Sequence, residues 1–286
     1  MMTNPSLLEL LGAPSDSNYD DIDWVLIRKE KIDWDEVLDH IKSNPGEVAT
    51  HGTLPLRLAL ENVTSQAPLK AITHLIKANP ECVASNNSLA LHWACENPNT
   101  SLDVIDVLAK KNLTLCWATD PLLSLPIHKA TNVDHVKLLI QKFPDGLSAV
   151  DIDGRLPIHN ACLYYFIPVQ VLDLLITEGQ KRFVGGMGGA GGLHVKDLAG
   201  KTPYDYIRGF VTADLSDRVS ARIDGVTDEE VQEIYRAKFA LCLAAKHKEN
   251  LKYPSQNTYN YPCANKHKED SFSTIMNKCM DISICF

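Results

Sequence analysis

Apolar and polar positions follow a helical period in a series of segments roughly one helix long, each closed by a breaker. "LKAITHLIKANP" (69–80), "LDVIDVLAKKN" (102–112), "DHVKLLIQKFP" (134–144) and "PVQVLDLLITEG" (168–179) all carry this pattern. In the third, Val136, Leu139 and Ile140 share one face, Lys137, Gln141 and Lys142 lie elsewhere, and Pro144 stops the helix. "DWDEVLDHIKSNPGEV" (33–48) supplies the same helix earlier in the chain, with Asp33 and Glu36 spaced as an N-cap and its partner.

Between these helices a short motif recurs. Leu54-Pro55-Leu56-Arg57-Leu58-Ala59, Leu89-Ala90-Leu91-His92-Trp93-Ala94-Cys95, Leu125-Pro126-Ile127-His128-Lys129-Ala130 and Leu156-Pro157-Ile158-His159-Asn160-Ala161-Cys162 share one pattern, and Thr202-Pro203-Tyr204-Asp205-Tyr206-Ile207 is a degenerate fifth copy. From the proline position the copies lie 35, 36, 31 and 46 residues apart. Each unit reads as a turn, a short helix, a loop, a longer helix and an extended return, the signature of a repeat architecture. Proline suits the first helical turn, where its missing N–H has no intrahelical partner. Ala59, Ala94, Ala130 and Ala161 let helices approach closely.

The motif resembles the ankyrin repeat, whose Thr-Pro-Leu-His-x-Ala signature opens the first helix of each unit. The fullest matches are Asp151-x-x-Gly154-x-Leu156-Pro157-Ile158-His159-x-Ala161 and Asp197-x-x-Gly200-x-Thr202-Pro203. Leucine replaces threonine in four copies, Arg57 replaces a histidine, Ala90 replaces a proline, and glycine is missing from the turns before Ser88 and Ser124, which are expected to be irregular. The resemblance implies an all-α repeat solenoid: a right-handed, ankyrin-like stack of helix pairs with short β-hairpin turns, closed by a C-terminal capping helix. The expected division is an N-terminal segment (1–19), a repeat domain of about five to six units (20–210) with a Gly-rich insertion at 185–192, a helical cap (211–249), and a tail without fixed structure (250–286). In the cap, "TDEEVQEIYRAKFALCLAAKH" (227–247) places Val231, Ile234, Tyr235, Leu241, Cys242 and Ala245 on one face, with Thr227 and Glu230 spaced as a capping box.

Charge narrows the partners. Lys plus Arg is 28 against 36 for Asp plus Glu, a net charge of −8 that offers no attraction to phosphate backbones or anionic lipid. Nucleic acid and membrane are therefore not expected as partners, and the absence of a long apolar run points to a soluble, cytoplasmic or nuclear chain that is monomeric on its own. The eight irregularly spaced cysteines are expected to be reduced thiols.

Candidate chemistry does not converge on a site. His92, His128 and His159 stand at one register of successive units, spread along the stack, whereas a catalytic or metal site needs convergent groups. Cys95 and Cys162 read as buried fillers. Gly186-x-Gly188-x-x-Gly191 has dinucleotide-loop spacing but lacks the following helix, so it reads as a flexible insertion. Cys263, His267, Cys279 and Cys285 in the tail lack the paired hooks of a zinc site. No enzyme, metal or cofactor is expected.

The resemblance instead implies a protein-interaction scaffold that binds an unidentified protein through its concave face and hairpin tips. It places contact positions at the turn tips and the end of each first helix: Glu61 and Asn62, then Asn86, Ser88, Glu96 and Asn97, then Leu122, Ser124, Asn132 and Val133, then Asp153, Arg155, Leu163 and Tyr164. Leu163, Tyr164, Tyr165 and Phe166 admit two readings, an interface anchor or packing within the inter-helix loop. The alternative functions are a targeting or regulatory subunit with activity supplied in trans, and a redox or metal sensor acting through the tail cysteines.

Overall fold

The computed structural model describes residues 5–13, 31–62, 64, 67–84, 89–111, 116, 118–186, 190–212 and 228–252, and all regular structure among them is helical. Where they are described, the positions expected to form short β-hairpins are turns, and no strand occurs among the described residues. The chain divides into two compact units, Met1–Pro121 with Leu125–Phe143, and Leu122–Ser124 with Pro144–Phe286.

The first unit holds α1 (Leu7–Leu10), α2 (Trp34–Ser43), α3 (Pro45–Thr50), α4 (Leu54–Glu61), α5 (Leu69–Ala78), α6 (Glu81–Ala84), α7 (Ala90–Glu96), α8 (Leu102–Lys111), α9 (Pro126–Lys129) and α10 (Val133–Lys142). The motif helices α4, α7 and α9 pack in series, and so do the longer helices α2, α5, α8 and α10. Each longer helix buries the stripe that its period predicts, such as Ala71, Ile72, Leu75 and Ile76 in α5 and Val136, Leu139 and Ile140 in α10. Full burial of one such Leu or Ile contributes roughly 1.5–3 kcal/mol. Asp33 caps α2 by accepting from the Asp35 and Glu36 amides at 3.1 and 3.3 Å. Three of the longer helices stop alike: the amides of Asn44, Asn79 and Phe143 donate to the carbonyls four residues back, and a proline follows each. The segment expected to precede the repeats contains α1, whose Leu7 and Leu8 are buried and whose Leu7 N–H donates to Glu47 Oε1 at 2.7 Å.

The second unit holds a 3₁₀ turn (Pro144–Ser148), α11 (Pro157–Leu163), α12 (Val169–Lys181), a 3₁₀ turn (Ala190–Gly192), α13 (Pro203–Thr212) and α14 (Asp228–Lys252). Here α11 packs on α12 and α13, and α14 packs on α12 and α13. The end of the Gly-rich stretch, residues 190–192, is packed, unlike the flexible insertion expected over 185–192. Ala190, Gly191, Gly192 and Leu193 are buried against α12, and a Cβ on Gly191 would stand 2.5 Å from the Ile176 carbonyl oxygen. Glycine is needed there because two backbones touch. The capping box at Thr227 and the tail cysteines lie outside the described residues.

Candidate interaction surface

Two turns of the second unit are built by one device. Asp151 Oδ1 accepts from the amides of Asp153 and Arg155 at 3.0 and 2.9 Å, and Asp197 Oδ1 accepts from those of Ala199 and Lys201, both at 2.9 Å. The residue three before the proline position is left-handed in four copies: Gly52 (φ +60°), Leu123 (+55°), Gly154 (+74°) and Gly200 (+74°). Successive tips in the second unit are joined, Ile152 N–H to Leu122 O at 2.8 Å and Leu198 N–H to Asp153 O at 2.9 Å. This edge leaves apolar side chains in solvent, Leu122 53% exposed, Ile152 44% and Leu198 41%.

Behind the tips, Arg155 is held on one side by Asp153, at 2.7 Å, and on the other by the next turn, where its guanidinium lies 5.5 Å over the Tyr206 ring and Nε donates to Tyr206 Oη at 3.3 Å. Tyr206 in turn donates to buried Asp197. Arg155 thus fastens one turn to the following one, while Asp153 stays exposed.

The ends of the motif helices divide into surface and interior. Glu96 is exposed and Asn132 and Val133 are half-buried. Glu61, Asn62, Asn97 and Ser124 are buried, so they are not carried into the surface set. Asn97 donates to Leu60 O and Asn62 O, both at 2.8 Å, and accepts from the Asn99 amide at 3.0 Å. Asn132 repeats this, donating to Pro98 O at 3.0 Å and accepting from the Asp134 amide at 2.9 Å. These asparagines tie one copy to the next. The signal for them was in the sequence, since Asn62, Asn97 and Asn132 recur at intervals of 35 residues. Asn86 and Ser88 lie outside the described residues.

Two of the motif histidines, His128 and His159, hold their turns, whereas His92 Nδ1 is buried and makes no such bond. His128 Nδ1 accepts from the Leu125 amide at 3.1 Å and His159 Nδ1 from the Leu156 amide at 3.0 Å, while His159 Nε2 faces Val195 O at 3.1 Å. A ring that accepts at Nδ1 and donates at Nε2 is the neutral tautomer. Burial pushes His159 down to about 4, the charge of Asp197 opposing it, so the ring is neutral near pH 7.

At the end of α11 the C-terminal helix takes over the open carbonyls. Tyr235 Oη donates to Leu163 O at 2.6 Å, and Lys238 Nζ donates to Ala161 O and to Tyr164 O, both at 2.7 Å. Lys238 is fully buried, and burial pushes it down to about 8. Leu163 is half-buried beside this contact. The aromatic run that follows splits between both expectations: Tyr164 and Phe166 stack at 5.2 Å and stay 39% and 49% exposed, whereas Leu163 and Tyr165 are half-buried.

Among the described residues no group of three or more His, Cys, Asp or Glu side chains is placed to hold a metal ion, and no helix is long and apolar enough to cross a membrane. No protein-family model matches the chain, and no curated protein matches it.

Proposed function

We propose that the chain is a non-catalytic protein-interaction scaffold of ankyrin type that binds a partner protein through its turn tips and the ends of its motif helices. The observation that carries this reading is the row of apolar tips, Leu122, Ile152 and Leu198, held in line by tip-to-tip hydrogen bonds. Neighbouring exposed apolar side chains on a rigid edge lower the cost of association, because the backbone that presents them is already ordered. Exposed Tyr164 and Phe166 add aromatic surface of the kind that anchors interfaces. Support for the ankyrin assignment comes from the repeated Asp turn, the left-handed residue three before the proline, and the histidine that accepts from its own turn. Repeats of this kind exist for the surface they present, since each unit buries its apolar face only against its neighbours.

The test is capture from native lysate with the wild-type chain and with a Leu122→Ser, Ile152→Ser, Leu198→Ser variant of matched melting temperature. A defined set of proteins bound by the wild type and lost from the variant supports the tip row as the contact. Equal capture by both removes it.

A further inference from the structure

We propose that Cys162 and Cys242 form a modification site, a dithiol that reacts with a small disulfide such as glutathione disulfide to close a bond between α11 and α14. The Cys162 and Cys242 thiols interact with each other, which adds to the burial that raises the Cys162 thiol, and both side chains are fully buried. Cys242 sits one helical turn beyond Lys238 on the same face of α14. The Lys238 ammonium binds the carbonyls of Ala161 and Tyr164, which bracket Cys162 in the chain. Two sulfur atoms and one cation therefore meet at a single point on two elements that are far apart in sequence. The other buried thiols described, Cys82, Cys95 and Cys116, belong to the first unit.

The chemistry is thiol–disulfide exchange in two steps. The thiolate of one cysteine attacks a sulfur of glutathione disulfide, forming a mixed disulfide and expelling one glutathione thiolate, which is protonated. The thiolate of the second cysteine attacks the protein-bound sulfur of that mixed disulfide and expels the second glutathione. Two S–H bonds are lost from the protein, one S–S bond forms, and one glutathione disulfide is reduced to two glutathiones. Burial holds the Cys162 thiol protonated while α14 is docked, so exchange begins when that helix lifts. Re-docking then brings the second sulfur onto the first, and the product fastens α14 to the end of α11.

The experiment uses the full chain, reduced with dithiothreitol, freed of reductant, incubated with glutathione disulfide, then blocked with N-ethylmaleimide in denaturant and digested for mass spectrometry. The expected result is a Cys162–Cys242 cross-linked peptide, lighter by two hydrogens than its parts, as the main disulfide. The oxidised protein is expected to melt several degrees higher, and dithiothreitol is expected to reverse both changes. Cys162→Ala and Cys242→Ala variants should each lose the cross-link and the rise. Recovery of both cysteines as blocked thiols or as separate glutathione adducts overturns the proposal, as does pairing of either with another cysteine or an unchanged melting temperature. The peptide map of the wild-type chain decides the matter by itself if either variant does not fold.

Discussion

Lys238 and Ala161 are joined by a 2.7 Å hydrogen bond from the buried ammonium of α14 to a last-turn carbonyl of α11. A helix leaves its final carbonyls without intrahelical donors, and here a lysine from another element satisfies two of them. Lys238→Met removes both bonds while keeping most of the volume, and leaves the buried Ala161 carbonyl to find water or stay open, while Tyr164 O keeps the Ile167 amide. The expected loss is about 1–3 kcal/mol of stability, measured by urea unfolding, the cost of an unsatisfied buried polar group.

Leu123 and Gly154 hold the same left-handed turn position, at φ +55° and +74°. A side chain there crowds the following carbonyl at a cost of roughly 1–2 kcal/mol, against which glycine loses chain entropy worth roughly 0.5–1 kcal/mol. Leu123→Gly is therefore expected to stabilise the chain slightly, by up to about 1 kcal/mol. Gly154→Ala runs the other way, since its Cβ would stand 2.9 Å from Leu198 Cγ and 3.2 Å from the Leu198 amide nitrogen. A loss of about 2–4 kcal/mol is expected for it, from left-handed strain plus overpacking. Melting curves of the two variants should move in opposite directions.

Those two residues also mark where sequence reasoning reaches and where it stops. The missing glycine before Ser124 led to an expectation of irregularity, yet Leu123 keeps the left-handed conformation of the other copies. Composition reports the ease of a conformation, and the neighbouring helices decide whether it is adopted anyway. The helix stripes and their stops were legible because each depends on residues close in the chain. Asn97 was legible as one of three asparagines recurring every 35 residues, but its role as a tie was not, because its acceptors, Leu60 O and Asn62 O, lie far back in the chain. Lys238 shares a face with Tyr235, Cys242 and Ala245, but its charge argued for solvent. Only the open end of α11, supplied by the fold, makes that position a buried one.

Gly179 and Gly191 are the places where the Gly-rich segment meets α12. A Cβ on Gly179 would lie 2.6 Å from the Gly191 carbonyl oxygen, and one on Gly191 would lie 2.5 Å from that of Ile176. Gly191→Ala is expected to cost at least about 3 kcal/mol, as backbone on both sides must separate. Gly209→Ala is the matched control, a helical glycine with open space around its missing Cβ. It should stabilise by about 0.5–1 kcal/mol through helix propensity. Equal effects of the two substitutions would show that the Gly-rich contact does not form in solution.

Acid should loosen the fold through His159. Its imidazole is neutral when folded, with burial pushing it to about 4 against an ordinary 6.5. Between those values the unfolded chain binds a proton that the folded chain refuses, so stability rises with pH across the window and falls as pH drops from 6.5 toward 4. The full swing is on the order of 3 kcal/mol from this one ring. His135 is shifted in the same direction by burial, and it adds to the slope. Urea midpoints measured from pH 7.5 down to pH 5 should therefore decline steadily. His159→Asn, which cannot take up the proton, should start from a lower midpoint at pH 7.5 and decline less. A wild-type midpoint that stays level between pH 6.5 and 5 would mean that His159 is not buried as a neutral ring.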